Sequence, residues 1–235
     1  MKIAFAFLLS IICVANATYV SAGNYSDPTG YSVTYPDGWT AIPGAGSKIK
    51  TTDLPPETQK WLQNNKSFDM SKVSLVIMHK IEEDYTSNVA VTMYEADELP
   101  VSDSAAQSVL KGAKTAASSQ GISMTESKAS VRTFGANKGI YTEYTMLIPS
   151  LGYKTRHHQF SLPGGGKTYI FVCSAKESKF DEESGAFQSM LASISVPAPI
   201  KAVNNSAYES GRTFGRLLVP AIVVAVLVMI FRKRS

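Results

Sequence analysis

Cysteine is scarce in this chain, with two residues among 235. Cys13 lies in an apolar run at the N-terminus, and Cys173 ends a second apolar run, Tyr169-Ile170-Phe171-Val172-Cys173. If the N-terminal run is removed, as argued below, Cys173 is the last thiol, and an intramolecular disulfide is excluded. The fold must then be stable through its hydrophobic core alone. A lone cysteine among apolar residues predicts a small buried side chain rather than a nucleophile.

Histidine is almost as scarce, and no common catalytic motif is present. Of the three histidines, His157 and His158 are neighbours on a predicted strand, so their side chains point to opposite faces and cannot readily bind one metal ion. His79 could join them only through the folding of distant segments. Neither G-x-S-x-G nor H-E-x-x-H occurs. The sequence therefore predicts no catalytic residue, no metal site and no cofactor.

Two other patterns resemble functional sites but have ordinary explanations. Gly164-Gly165-Gly166-Lys167-Thr168 looks like a phosphate-binding loop, but Ser161 stands where the first Walker glycine belongs, and a strand follows instead of a helix. A hairpin turn explains this segment. One predicted strand could also carry a ligand-facing patch, made of Tyr153, Arg156, His157 and His158. We expect that strand to be an ordinary half-solvated one.

The N-terminus has the features of a secretory signal peptide. Lys2 precedes an apolar run from Ile3 to Val14, and the small-x-small triplet Ala15-Asn16-Ala17 follows it. An uncleaved membrane helix is the alternative, but such a run rises only about 18 Å, short of a hydrocarbon core of about 30 Å. We therefore predict a signal peptide at residues 1–17, cleaved after Ala17.

The C-terminus has the features of a single membrane anchor. Leu217 to Phe231 is apolar and uncharged, and Arg232-Lys233-Arg234 follows it. A buried core helix is the alternative, but this run comes last, behind a polar spacer, and ends in a basic cluster. Positive residues stay on the cytoplasmic side, so the folded part faces the periplasmic or extracellular side. The predicted divisions are an exported domain at 18–196, a linker at 197–212, a transmembrane helix at 213–231 and a cytoplasmic tail at 232–235.

The positive net charge belongs to the two ends of the chain. The whole sequence has a formal charge of +4, whereas residues 18–211 hold 17 basic and 19 acidic residues, a net charge of −2. Nucleic-acid-binding domains carry a basic patch. We therefore expect no nucleic-acid partner, and we expect the membrane and a protein of the envelope instead.

Between the two ends, the pattern of apolar residues predicts an α+β domain. The longest helix is expected at Ser104–Gln120, opened by a capping box of Ser104 and Gln107, and a closing amphipathic helix starts near Ser178. The strands are expected at 31–35, 73–79, 89–94, 122–131, 139–148, 153–162 and 167–175. Because the last four are joined by short turns, they predict an antiparallel meander, and the whole predicts an antiparallel sheet packed between helices.

Two motifs carry a resemblance to a known superfamily. The first is the strand and turn ending in Tyr35-Pro36-Asp37-Gly38-Trp39, and the second is the closing helix, Phe180…Phe187…Met190-Leu191-Ala192-Ser193-Ile194. Over roughly residues 25–196 the chain resembles the PsbP/Mog/DcrB-like superfamily.

That resemblance implies a PsbP/Mog-like sandwich, an antiparallel sheet between helices, and a protein that binds partners rather than catalyses. Members of the superfamily assist the oxygen-evolving photosystem, bind a small GTPase, or act in the bacterial envelope. The superfamily has no shared active-site motif, so the resemblance assigns no functional residue. The C-terminal anchor departs from the photosystem branch and argues against a photosynthetic role.

We therefore expect a membrane-tethered accessory module of the cell envelope that binds a protein partner or a hydrophobic ligand without catalysis. The alternatives are a hydrolase or transferase whose site is assembled from distant residues, and a metal-dependent accessory protein. The irregular segment 43–71 is the expected binding flap, because loops on a rigid scaffold often carry function. Lys48, Lys50 and Trp61 are its candidate partner-binding residues, although Trp61 could instead pin the flap to the sheet.

Overall fold

A computed structural model of the chain describes residues 23–44, 56, 58–60, 73–80, 85–95, 98–148 and 152–200. The predicted signal peptide, transmembrane helix and cytoplasmic tail lie outside these residues and remain predictions. So do Lys48, Lys50 and Trp61, with most of the predicted flap. Within the described ranges, no helix is both long and apolar enough to cross a membrane.

The described residues form nine strands and two long α-helices. The helices are α1 (Asp103–Ser119) and α2 (Phe180–Ser193), and a 3-10 helix, Glu177–Lys179, leads into α2. The strands are β1 (Gly23–Ser26), β2 (Ser32–Tyr35), β3 (Thr40–Pro43), β4 (Leu75–Met78), β5 (Asn88–Tyr94), β6 (Ser123–Phe134), β7 (Asn137–Ile148), β8 (Tyr153–Gly164) and β9 (Lys167–Lys176).

Seven of these strands form one antiparallel sheet in the order β3-β4-β5-β9-β8-β7-β6, while β1 and β2 pair separately. The predicted meander corresponds to β6–β9, whose short turns make each strand pair with the next. The glycine-rich segment after β8 is the hairpin turn that the sequence predicts, with positive φ at Gly165 and Gly166. The α+β fold class with a large antiparallel sheet is therefore confirmed.

Each face of the sheet packs against one helix, because successive side chains of a strand point to opposite faces. On one face α1 buries its alanine-rich stripe with Val109 against Ile140, Ile170 and Val172. On the other face α2 packs a larger set of side chains against β8 and β9: Phe180, Phe187, Met190 and Leu191 from α2, with Phe160, Tyr169, Phe171 and Cys173 from the strands. Burying one large apolar side chain contributes about 1.5–3 kcal/mol. These two layers provide the core that the sequence must supply without a disulfide.

The N-cap of α1 lies two residues before the predicted one. The helix begins at Asp103, and the N-cap is Ser102, whose hydroxyl accepts a hydrogen bond from the backbone N–H of Ala105 at 3.2 Å. Ser104 lies inside the helix, and Gln107 instead donates to the carbonyl of Ala129 on β6. The predicted capping box is therefore wrong, because a serine two positions earlier has the extended backbone that an N-cap requires.

The sheet has two distinct ends. At the hairpin end lie the β6–β7 turn at 135–136 and the β8–β9 turn at 165–166. At the far end β7 connects to β8, and α2 begins. The register of β3, β4 and β5 places Pro43 beside Leu75 and Leu75 beside Val91, so the predicted flap leaves the sheet toward the hairpin end. His79, directly after β4, lies toward the far end.

Candidate functional site

The three histidines have very different surroundings, and all three lie in the described residues. The side chain of His157 is fully buried and that of His158 nearly so, at 0% and 7% exposure of the residue. The prediction of a half-solvated strand is therefore wrong at both histidines, while Tyr153 and Arg156 of the same strand are half-buried. The reason is tertiary, because both faces of the sheet are covered at β8. His157 packs beside Tyr144 in one core, and His158 packs beside Phe180 in the other.

His157 is held by two hydroxyls. Its Nδ1 lies 2.5 Å from Ser174 Oγ and its Nε2 lies 2.8 Å from Thr155 Oγ1, while its ring stacks on Tyr144 at 5.0 Å. Burial, with a smaller contribution from His158, lowers the pKa of His157 to about 3. A neutral imidazole has one donor and one acceptor, and both are satisfied here. Although the Ser174–His157 pair resembles half of a hydrolase site, both residues are fully buried and no carboxylate contacts the pair in the described structure.

His158 belongs to a row of side chains that crosses the sheet. The strand register aligns Lys128, Glu143, His158 and Cys173 on four successive strands. A Cys–His–Glu row has the residue types of a cysteine hydrolase. Its geometry is different: His158 Nε2 lies 4.0 Å from Glu143 Oε1 and makes no hydrogen bond.

The electrostatics of this row also oppose nucleophilic chemistry. Burial, then Arg156, Arg132 and Lys128, lower the pKa of His158 to about 4. The nearby Glu143 carboxylate would favour a protonated ring, but Lys128 at 2.5 Å and Arg132 at 3.6 Å already neutralise it. Burial also raises the pKa of the Cys173 thiol. The thiol is therefore protonated and enclosed, as the sequence predicts, and a thiolate is what a nucleophile needs.

His79 is the one histidine that combines solvent access with a carboxylate partner. Its Nδ1 lies 2.8 Å from Glu183 Oε1 on α2, and its side chain is 38% exposed. The ring stacks on Trp39 at 4.9 Å, and Trp39 in turn packs on Phe187. Trp39 is buried. A carboxylate at Nδ1 orients the imidazole and fixes its tautomer. Sequence reasoning could not pair His79 with Glu183, because 104 positions separate them.

The predicted flap is described only at its stems and in part of one helical stretch. Gly44 N donates to the carbonyl of Ser74 at 2.8 Å. A side chain at Gly44 would collide with the carbonyl of Val73, so the two stems approach as closely as glycine allows. Inside the flap, Thr58 is buried and Lys60 is exposed. The two stems of the predicted flap are thus held together.

The chain segment after α2 contacts the hairpin end of the sheet. Ser195 forms a β-bridge with Ser32, and Gly165 N donates to the carbonyl of Ala198 at 3.1 Å. Ile200 N donates to Glu98 Oε1 at 2.8 Å. The prediction assigns 197–212 to a linker, yet its first four residues lie against the domain. Composition alone cannot distinguish a docked proline-rich segment from a free one.

Comparisons with known proteins give similarities of fold only. No protein-family model matches the chain, and no curated protein matches it. Cyanobacterial PsbP (CyanoP) from Synechocystis sp. PCC 6803 is similar with a TM-score of 0.47 and 21% identity, over 77% of this chain and 95% of that one. LpqN, involved in cell envelope biogenesis of Mycobacterium tuberculosis, has a TM-score of 0.41 and 9% identity, over 76% and 92%. A Bacteroides thetaiotaomicron protein has a TM-score of 0.42 and 9% identity, over 74% and 47%. At these values none of them assigns a function to this chain.

Proposed function

We propose that this chain is a membrane-tethered accessory module that binds a protein partner on the outer side of a membrane and performs no chemistry of its own. One observation carries the proposal. Three of the groups that could serve nucleophilic or acid–base catalysis, Cys173, His157 and His158, are enclosed in the two cores, with pKa values moved away from the range where they could react. Enclosed groups of this kind have no access to a substrate, and loops on a rigid scaffold are where binding function is commonly found.

The partner surface in this proposal is the flap, with Lys48, Lys50 and Trp61 as contact residues. The pinning of its stems at Gly44 and Ser74 supports this choice, because a loop with fixed ends loses less conformational entropy on binding. A tryptophan with two lysines suits an acidic partner surface with an apolar pocket. The flap leaves the sheet at the hairpin end, the same end from which the chain continues toward the predicted anchor. A membrane protein with an acidic outer segment is therefore the partner we favour.

The test compares flap variants at matched stability. We expect Trp61→Ala and the pair Lys48→Ala/Lys50→Ala to reduce the yield of in vivo photo-cross-links made from a probe in the flap. Lys60→Ala is the matched control, since Lys60 is an exposed lysine of the same segment. Thermal melting of each variant separates binding from stability. If Trp61→Ala lowers the melting temperature but leaves the cross-links unchanged, Trp61 pins the flap and the contact surface lies elsewhere.

The tether is tested independently of the partner. We expect the mature chain to begin at Thr18, to sediment with membranes, and to be digested by protease added to intact cells. A chain that stops at residue 212 should be released from the membrane. A mature protein that retains Met1, or a domain protected from external protease, would contradict the topology.

The second candidate is a hydrolase or transferase, and the His79–Glu183 pair is the observation that favours it. A solvent-accessible imidazole oriented by a carboxylate is the arrangement of a general base. The test is a screen of ester, peptide and phosphoester substrates with the wild-type chain and His79→Gln. An activity that His79→Gln removes at unchanged stability would replace the binding proposal with this one.

A further inference from the structure

The exit segment, Val196–Ile200, is held at the hairpin end by a single carboxylate and by the backbone of the β8–β9 turn. Glu98 Oε1 accepts hydrogen bonds from Gly166 N and Ile200 N, each at 2.8 Å. One oxygen of Glu98 therefore links the turn to the exit segment. Gly165 N donates to the carbonyl of Ala198 in the same place. Backbone amides that converge on a carboxylate form charge-assisted hydrogen bonds, which are stronger than neutral ones.

The fit of the exit segment depends on glycines around Pro197. A Cβ at Gly164 would lie 2.6 Å from the carbonyl oxygen of Pro197, and a Cβ at Gly30 would lie 2.9 Å from Pro197 Cγ. Gly30 and Gly165 also have positive φ values, of 104° and 58°. Two separate turns thus lack side chains where the proline passes. An extended segment with Pro197 and Pro199 has few conformations to lose on docking.

We infer that Glu98, Gly30 and the β8–β9 turn form a docking groove for the chain's own segment 196–200, and that this docking orients the domain with its hairpin end toward the membrane. The orientation rests on the tether proposed above, whereas the docking does not. The predicted linker beyond Ile200 has 12 residues before position 213 and spans at most about 40 Å. Release of the five docked residues would lengthen the connection between the domain and position 213 by about 17 Å. The domain could then rotate so that its hairpin end no longer faces the membrane. Glu98 therefore helps to hold the domain in one orientation, together with the turn that binds Ala198 and Pro197.

The docking is tested by hydrogen exchange of the full chain in detergent solution, which does not require a membrane anchor, read at the Gly165 amide. We expect Glu98→Ala to speed exchange there about tenfold or more, since the docked segment opens locally, while amides of β7 and β8 keep their rates. Ile200→Pro should do the same from the other side, because proline removes the N–H that Glu98 binds and changes nothing in the sheet. Glu95→Ala is the matched control: Glu95 pairs with Lys167 of the same turn at 3.3 Å and should leave the Gly165 amide unchanged.

The outcome of each variant bears on the docking directly. Unchanged exchange at Gly165 in Ile200→Pro would overturn it, even if Glu98→Ala failed to fold. Equal acceleration in Glu95→Ala would also overturn it, because the effect would then follow from any change at the turn.

The orientation is tested by energy transfer from single labels to an acceptor in the lipid. Lys138 and Leu147 are exposed positions near opposite ends of β7, about 30 Å apart along the strand. We expect a label on Lys138→Cys to lie closer to the bilayer than one on Leu147→Cys, and Glu98→Ala to reduce the difference. Equal distances in the otherwise wild-type chain would overturn the orientation. A chain absent from the membrane fraction would instead refute the tether, and the exchange result would still decide the docking.

Discussion

Mild acid should destabilise this domain, because two neighbouring histidines are kept neutral inside it. In an unfolded chain a histidine titrates near pH 6.5, whereas the pKa of His157 is lowered to about 3 and that of His158 to about 4. Below about pH 6.5 the unfolded state therefore binds protons that the folded state does not. The contribution of the two neutral histidines to the free energy of unfolding is fully present above about pH 6.5, and it is lost as the pH falls toward their folded-state pKa values.

The size of the effect follows from these pKa values. At about pH 5, each histidine lowers the free energy of unfolding by about 2 kcal/mol relative to neutral pH. The two together remove about 3–4 kcal/mol, a large share of the 5–15 kcal/mol that is typical of a folded domain. Most carboxylates titrate below this window, so the range from about pH 7 to about pH 5 isolates the histidines.

Urea unfolding of residues 18–200 at several pH values in that range measures the effect. His158→Gln is the informative variant, because His158 Nε2 makes no hydrogen bond in the fold and its replacement leaves the Ser174–His157–Thr155 contacts in place. We expect the free energy of unfolding of this variant to depend less steeply on pH. The reduction should be close to the contribution of one titrating histidine, about 1.4 kcal/mol per pH unit. A wild-type free energy of unfolding that stays constant between about pH 7 and about pH 5 would refute the reasoning, as would an unchanged slope in His158→Gln.

Three further predictions concern stability. Ser174→Ala should lower the free energy of unfolding by about 1–3 kcal/mol, because it leaves a buried nitrogen of His157 without its partner. The control is Ser189→Ala, at an exposed serine of α2, and equal effects in denaturant melts would contradict the role of the network. Gly185→Ala should raise the free energy of unfolding by about 0.5–1 kcal/mol. Gly185 lies inside α2, and a Cβ there would meet no atom within 4 Å. A destabilised variant would contradict this prediction and show that the helix is strained. The melting temperature of residues 18–200 should not change with reductant or with EDTA, and a large drop with EDTA would reveal a structural metal ion.

Local sequence patterns predicted the elements of this fold well. The alternation of apolar residues located the four-strand meander, because each strand pairs with its neighbour in sequence and short turns leave few alternatives. The stripe from Phe180 to Leu191 located the buried face of α2. Gly38, Gly165 and Gly166 marked turns correctly, since the positive φ that all three have is accessible to glycine and costly for other residues. The burial of Cys173 also followed from its apolar neighbours.

The chemical environment of the histidines depended on tertiary structure. The sequence showed that His157 and His158 point to opposite faces, but not that a helix covers each face, so the prediction of a half-solvated strand was wrong at these two positions. The approach of Glu183 to His79, and of Glu98 to Ile200, joins residues about a hundred positions apart. Such contacts depend on how α2 and the hairpin end pack on the sheet, and no local period or spacing encodes them. The sequence by itself therefore determined which segments form strands and helices, while the packing of those elements decided which polar groups are enclosed, paired or presented to solvent.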